Sequence, residues 1–274
     1  MFFLFYEVIS ESSWYLLFGL LIVAVISFID DLILLSSKVR LIAHLTAFIF
    51  VFYGLNIVPL LTLYNIIIFI ILIIFSIGFL NIYNFMDGIN GITFLNALVT
   101  FLTLLYLNSY YTSFTDNNLL VIIIIALLVF GVFNFRKKAL CFAGDIGSIT
   151  VGFSLIYFVL KLYLQTDNIA VFLVFSVYLI DGGWTIVERI IRKENIFEAH
   201  KRHLYQLAVN DLKIPHLKIS SAYFLAQLVI NAILICIIKF EVSFVISSII
   251  LFSSCSFVYI LIKRKVVFQI EKNE

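Results

Sequence analysis

Polar residues along this chain are few and clustered, and long apolar runs separate the clusters. Runs long enough to cross a bilayer as helix, roughly 20 residues, fall at about 14–29, 41–58, 60–82, 89–108, 118–135, 147–164, 168–190, 217–239 and 242–262. A short turn at Pro59 separates the second and third runs, and Asp181 interrupts the seventh. This pattern predicts an all-α fold, a polytopic bundle of about nine transmembrane helices. No segment outside the spans is long enough to fold alone, so residues 1–274 are expected to form a single domain.

Composition agrees: 64% of residues are hydrophobic and 12% charged, where soluble domains carry about 25% charged residues. The net charge of +2 matters less than where the cations sit. Lys38 and Arg40, Arg136 to Lys138, the Arg192–Lys218 segment and Lys263 to Lys265 all fall on one side of the predicted spans. Connections near Pro59, 108–117 and 165–168 carry no Lys or Arg, and Lys239 sits at one edge. By the positive-inside rule the basic side is cytoplasmic, so the N-terminus is expected outside and the C-terminus inside. Cys141, Cys236 and Cys255 have no paired spacing, and two of them lie in apolar runs; they read as small hydrophobes. The start has no basic segment or small-residue cleavage site, and no signal peptide is expected.

Four polar clusters fall on the basic side. The run Asn81-Ile-Tyr-Asn84-Phe-Met-Asp87-Gly-Ile-Asn-Gly91 places two amides and a carboxylate three residues apart, within one arc if helical. Its glycines allow a turn or close approach to a ligand, and an ionisable residue at membrane depth points to function. Asp30-Asp31 precedes Lys38 and Arg40; such a pair needs a neutralising cation or a retained proton. Gly144-Asp145-Ile-Gly147-Ser148 puts a carboxylate in an amide-rich turn suited to a metal ion that holds phosphates. The last cluster runs from Asp181-Gly-Gly-Trp through Arg189 and Arg192 to Glu198-Ala-His200-Lys-Arg202-His203-Leu-Tyr-Gln206. Two histidines at this spacing could ligate a metal, but no third soft ligand lies nearby.

These motifs, in this order over about Asp30 to Gln206, resemble the polyprenyl-phosphate N-acetylhexosamine-1-phosphate transferases, glycosyltransferase family 4. The Glu-Ala-His-x-x-His-x-Tyr-Gln segment resembles the O-antigen-initiating branch. The resemblance implies transfer of an N-acetylhexosamine-1-phosphate (GlcNAc or a 6-deoxy or epimeric relative) from a UDP-sugar to undecaprenyl phosphate, with UMP released. It implies Mg²⁺ or Mn²⁺ as cofactor, with Asp145 as the main metal ligand and Asp87 close by. Asp30 or Asp31 would orient or deprotonate the lipid phosphate. Asp87, His200 and His203 complete the implied catalytic set, the histidines offsetting diphosphate charge. Lys38, Arg40, Asn81, Asn84, Asn134, Phe142 and Arg202 are the implied substrate contacts, Phe142 stacking on uracil. Arg136-Lys137-Lys138 replaces the family's usual prolines and shifts Asn134 by one position.

The implied setting is the bacterial cytoplasmic membrane, with the site facing the cytoplasm, membrane lipid around it and no nucleic-acid partner; homodimerisation is left open. Relatives usually carry two further spans and a basic loop ahead of the Asp-Asp motif, and the chain as written is expected to lack them. That leaves an inactive truncated homologue or a partner subunit as an alternative reading. A secondary transporter fits less well, because its ion sites should lie near the midplane at broken helices, whereas these acids cluster at helix ends.

Overall fold

The computed structural model describes residues 11–57, 62–195 and 201–273. Among them are nine helical segments long and apolar enough to cross a membrane, and no strands. The long helices are α1 (Glu11–Ile33), α2 (Ser37–Gly54), α3 (Leu63–Phe85), α4 (Ile92–Tyr110), α5 (Asn117–Asn134), α6 (Gly144–Thr166), α7 (Ser176–Ile191), α8 (His216–Lys239) and α9 (Phe244–Asn273). The expected all-α architecture of membrane-length helices is therefore what the described residues form, and most ends lie within a few residues of the apolar runs. Two differ instructively. The seventh span opens as a 3₁₀ segment, Ile169–Phe175, before α7. The last continues past the apolar run through the basic residues 263–265, because Lys263 finds Glu188 at 2.9 Å and Thr185 at 3.2 Å.

The described residues divide into two compact units, Met1–Asn84 with Ala143–Lys161, and Phe85–Phe142 with Leu162–Glu274. In the first, α1 and α2 form a hairpin. Leu34 closes it with a positive φ of 49°, and Asp30 supplies the cap: its carboxylate accepts from Leu35 N at 2.5 Å while its carbonyl accepts from Leu34 N. This satisfies groups that the end of a helix leaves unpaired. Phe48 of α2 meets Phe153 of α6 at 4.8 Å between ring centroids, and both are fully buried with Phe79 and Tyr83 of α3.

The second unit holds its helices together with buried polar bonds as well as apolar contact. Asn231 of α8 donates to Thr103 of α4 at 2.9 Å and accepts from Gln227 at 2.7 Å. Gln227 in turn donates to the Leu173 carbonyl and accepts from Val177 N. That one side chain satisfies backbone groups at the 3₁₀-to-α junction, where hydrocarbon offers no substitute. Asn108 ties the α4–α5 connection, accepting from Phe114 N and Thr115 N and donating to the Thr115 carbonyl.

Candidate active site

In the first unit the polar side chains of α1, α2, α3 and α6 converge at one set of helix ends. Asp30, 6% exposed, accepts from Arg40 Nη1 at 3.0 Å. The same nitrogen lies 4.0 Å from Asp145 Oδ2. Asn84 donates to Asp145 Oδ1 at 3.3 Å and accepts from Ser148 Oγ at 2.5 Å, while Ser148 also donates to the Gly144 carbonyl. Asp31 is exposed, with its carboxylate beside Gly144. Asp30 and Asp31 are both near enough to Asp145 to interact with it electrostatically. Two carboxylates, Asp30 and Asp145, thus share one guanidinium, with Asp31 a third negative charge close by. His44, one turn beyond Arg40, is buried behind the group.

Asn81 and Asn84 behave differently. Asn81 is exposed and donates to its own helix at Ile77 O, whereas Asn84 reaches Asp145. Asp87 does not continue their arc, because α3 ends at Phe85. Lys38 is exposed on the first turn of α2.

The second unit contains Asp87 and the turn that carries it. Thr93 Oγ1 donates to Asp87 Oδ1 at 2.5 Å. Gly91 has a φ of +83°, and an added Cβ would overlap the Phe135 ring; only glycine suits that position. Asn134, 4% exposed, accepts from Gly91 N at 2.7 Å and donates to Cys141 O at 2.8 Å. Its amide therefore braces the Asp87 turn against the following loop. Asn90 adds to this brace, donating to Arg136 O at 2.8 Å while its carbonyl accepts from Ser220 Oγ at 2.7 Å. Phe142 is 70% exposed, free of burial by its neighbours in the loop.

At the end of α7, Glu188 pairs with Arg192 at 2.8 Å and Lys263 at 2.9 Å, and Glu194 pairs with Arg202 at 3.0 Å and Arg189 at 3.3 Å. Arg202 is thus held in an ion-pair network at the end of α7. His200 lies outside the described residues. His203 is buried, its Nδ1 3.4 Å from Asp181 Oδ1. Asp181, which the motif contained without a role, accepts from Tyr223 OH at 2.6 Å, Tyr259 OH at 2.9 Å and Leu204 N at 3.1 Å. Its signal in the sequence was an acid interrupting the middle of the seventh apolar run. Tyr205 is fully buried; burial, with Asp181 and Asp87 nearby, pushes its phenol well above the usual tyrosine range. It stays a donor in alkaline solution, and its ionisation would weaken the fold as pH rises past that usual value.

Apolar helices of this number and length, with carboxylates, amides and cations at their ends, define a multi-pass membrane protein. The sequence profile of glycosyl transferase family 4 matches residues 13–163, more than half of the chain, and the chain belongs to that family. Membership indicates a polyprenyl-phosphate sugar-1-phosphate transferase. The match includes Asp30, Asp31, Asn84, Asp87 and Asp145, and ends before Asp181, His200 and His203. A comparison with curated proteins finds no match.

Proposed function

We propose that the protein transfers an N-acetylhexosamine-1-phosphate from a UDP-sugar to undecaprenyl phosphate, starting a lipid-linked surface polysaccharide such as O-antigen at the cytoplasmic face of a bacterial inner membrane. An oxygen of the lipid phosphate forms a bond to the β-phosphorus of the UDP-sugar. The bond from that phosphorus to the bridging oxygen breaks, and the oxygen leaves as part of UMP. Both substrates are anions, so positioning and charge neutralisation dominate such chemistry.

The observation that carries this reading is the Asp30–Arg40–Asp145–Asn84–Ser148 cluster. With Asp31 beside Asp145, its carboxylates outnumber its guanidinium by two charges, a deficit that a divalent cation would balance. The donors are hard oxygens, which suits Mg²⁺ or Mn²⁺. No group of three acidic, His or Cys side chains among the described residues forms a complete metal cage, and Mg²⁺ ordinarily takes one or two carboxylates plus phosphate and water. Asp145 would hold the ion, and Asp87 keeps the role implied for it by the motifs. Bound there, the ion would neutralise charge on the phosphate oxygens. Asn84 fixes one oxygen of Asp145, and Arg40 restrains Asp30 while remaining able to meet a phosphate. Asp30 or Asp31 orients the lipid phosphate or takes its proton. Arg202, Phe142 and the two histidines keep the substrate roles implied by the motifs.

The test is UMP release from UDP-N-acetylhexosamines by the purified protein in lipid nanodiscs. Release should require both polyprenyl phosphate and Mg²⁺ or Mn²⁺. Metal-independent release, or release unchanged without the lipid acceptor, would refute the assignment.

For the lipid tail, the second unit offers an apolar cavity of about 700 Å³ lined by α7, α8 and α9, with Ala226, Val229, Cys255 and Val258 on its walls. That volume falls within the roughly 300–1,000 Å³ of ligand pockets. Ala226→Trp should fill part of it and raise KM for the lipid acceptor roughly tenfold, equivalent to about two lost methylene contacts at ~0.8 kcal/mol each. KM for the UDP-sugar should stay put; an unchanged lipid KM would remove the tail from this cavity.

A further inference from the structure

We infer that Tyr205 is a positioning residue for Asp87, anchored in that role by the buried carboxylate of Asp181. The inference rests on the reading that Asp87 serves the transfer reaction, and all of its parts lie within the second unit.

Tyr205 touches the chain on both sides of Asp87. Its hydroxyl donates to the Phe85 carbonyl at 2.8 Å. Phe85 is the last residue of α3, where carbonyls have no partner within the helix, so the phenol supplies one. One residue past Asp87, Gly88 lies directly against Tyr205, and a Cβ there would overlap the hydroxyl. The backbone carrying Asp87 is therefore pinned from one side by a phenol, while Thr93 holds the carboxylate itself. Moving Tyr205 moves the turn.

Tyr205 is in turn unusually constrained for a residue in a short connection. It occupies the single turn Leu204–Gln206, in which Gln206 Oε1 accepts from His203 N. The His203 ring stacks on it at 5.7 Å with 20° between planes, and Tyr223 meets it edge-on at 6.4 Å and 90°. Both neighbours are fixed by Asp181, through Tyr223 OH on Oδ2 and His203 Nδ1 near Oδ1, and the Leu204 amide adds a third tie. Tyr259 of α9 and Thr185 of α7 complete the donors around that carboxylate. Burying a charge so deeply is costly unless it is fully hydrogen-bonded. What this one organises is the cage around Tyr205, a rigid path from three helices to the Asp87 turn.

The discriminating variant is Tyr205→Phe, which keeps the ring and its stacking but removes the bond to Phe85. In the 274-residue protein kcat should fall about tenfold or more, since small displacements of reacting groups are that costly, with KM for UDP-sugar within about twofold. Amide hydrogen exchange should quicken across residues 85–91, and the melting temperature in nanodiscs should hold. Asp181→Asn should extend faster exchange to 203–209; unchanged protection there would remove Asp181 from the path. Wild-type kcat in Tyr205→Phe overturns the inference, as does a fall in kcat with exchange at 85–91 unaltered, or a general loss of protection. Asp87→Asn separates the two levels. If it is inactive while Tyr205→Phe is normal, the inference fails and the proposed function stands. If Asp87→Asn is fully active, the role of Asp87 in the reaction fails, whatever exchange shows at the turn.

Discussion

Asp145→Asn should abolish sugar-phosphate transfer while leaving the helices folded. The substitution keeps the size of the side chain and its place beside Asn84, but it removes a charge from the cluster that also holds Asp30, Asp31 and Arg40. A carboxamide is a poor ligand for a hard divalent cation, and only one or two protein carboxylates ordinarily hold Mg²⁺ against phosphate and water. Loss of one group that stabilises developing charge in an active site costs about 10²–10³-fold in kcat, and loss of the main metal ligand should reach at least that. The measurements are UMP release across a Mn²⁺ titration and the melting temperature of both proteins. Full activity of Asp145→Asn at limiting metal would remove Asp145 from the reaction. Because Asp30 and Asp31 then face one like charge fewer, the variant should melt no lower than the parent.

Much of this cluster could be read in the sequence. Asp30, Arg40, Asn84 and Asp145 stand out because charge and amide groups at the ends of apolar runs have no ordinary explanation. The nine spans were equally legible, since bilayer thickness sets a length that composition alone reveals. Helix ends were less so. The arc of Asn81, Asn84 and Asp87 assumed a helix continuing through all three, yet α3 stops at Phe85 and the turn takes over. Other features depend on contacts made far along the chain. Asn134 looked like a substrate contact, and its amide is engaged by Gly91 N and Cys141 O. Asp181 showed only that something must compensate it; that the partners are Tyr223, Tyr259 and the Leu204 amide follows from tertiary placement. Periodicity reports which face is apolar, not which distant donor will arrive there.

The Gly91 position should be the most sensitive point for stability. With φ at +83° and ψ at −8°, an L side chain there costs about 1–2 kcal/mol in backbone strain. The added Cβ would also overlap the Phe135 ring, and forcing a side chain into filled space costs about 1–3 kcal/mol more. Together these consume a large part of the roughly 5–15 kcal/mol that holds a folded protein together. The damage should spread, because Gly91 N is the donor through which Asn134 braces the Asp87 turn. Gly91→Ala should therefore lower the melting temperature sharply and reduce the yield of folded protein. Gly78→Ala is the matched control: it sits within α3, and a Cβ there meets nothing within 4 Å. Alanine is the better helix former by about 1 kcal/mol, so Gly78→Ala should melt at or slightly above the parent. Equal melting temperatures for the two variants would mean that the turn at Gly91 tolerates a side chain and that Phe135 yields to it.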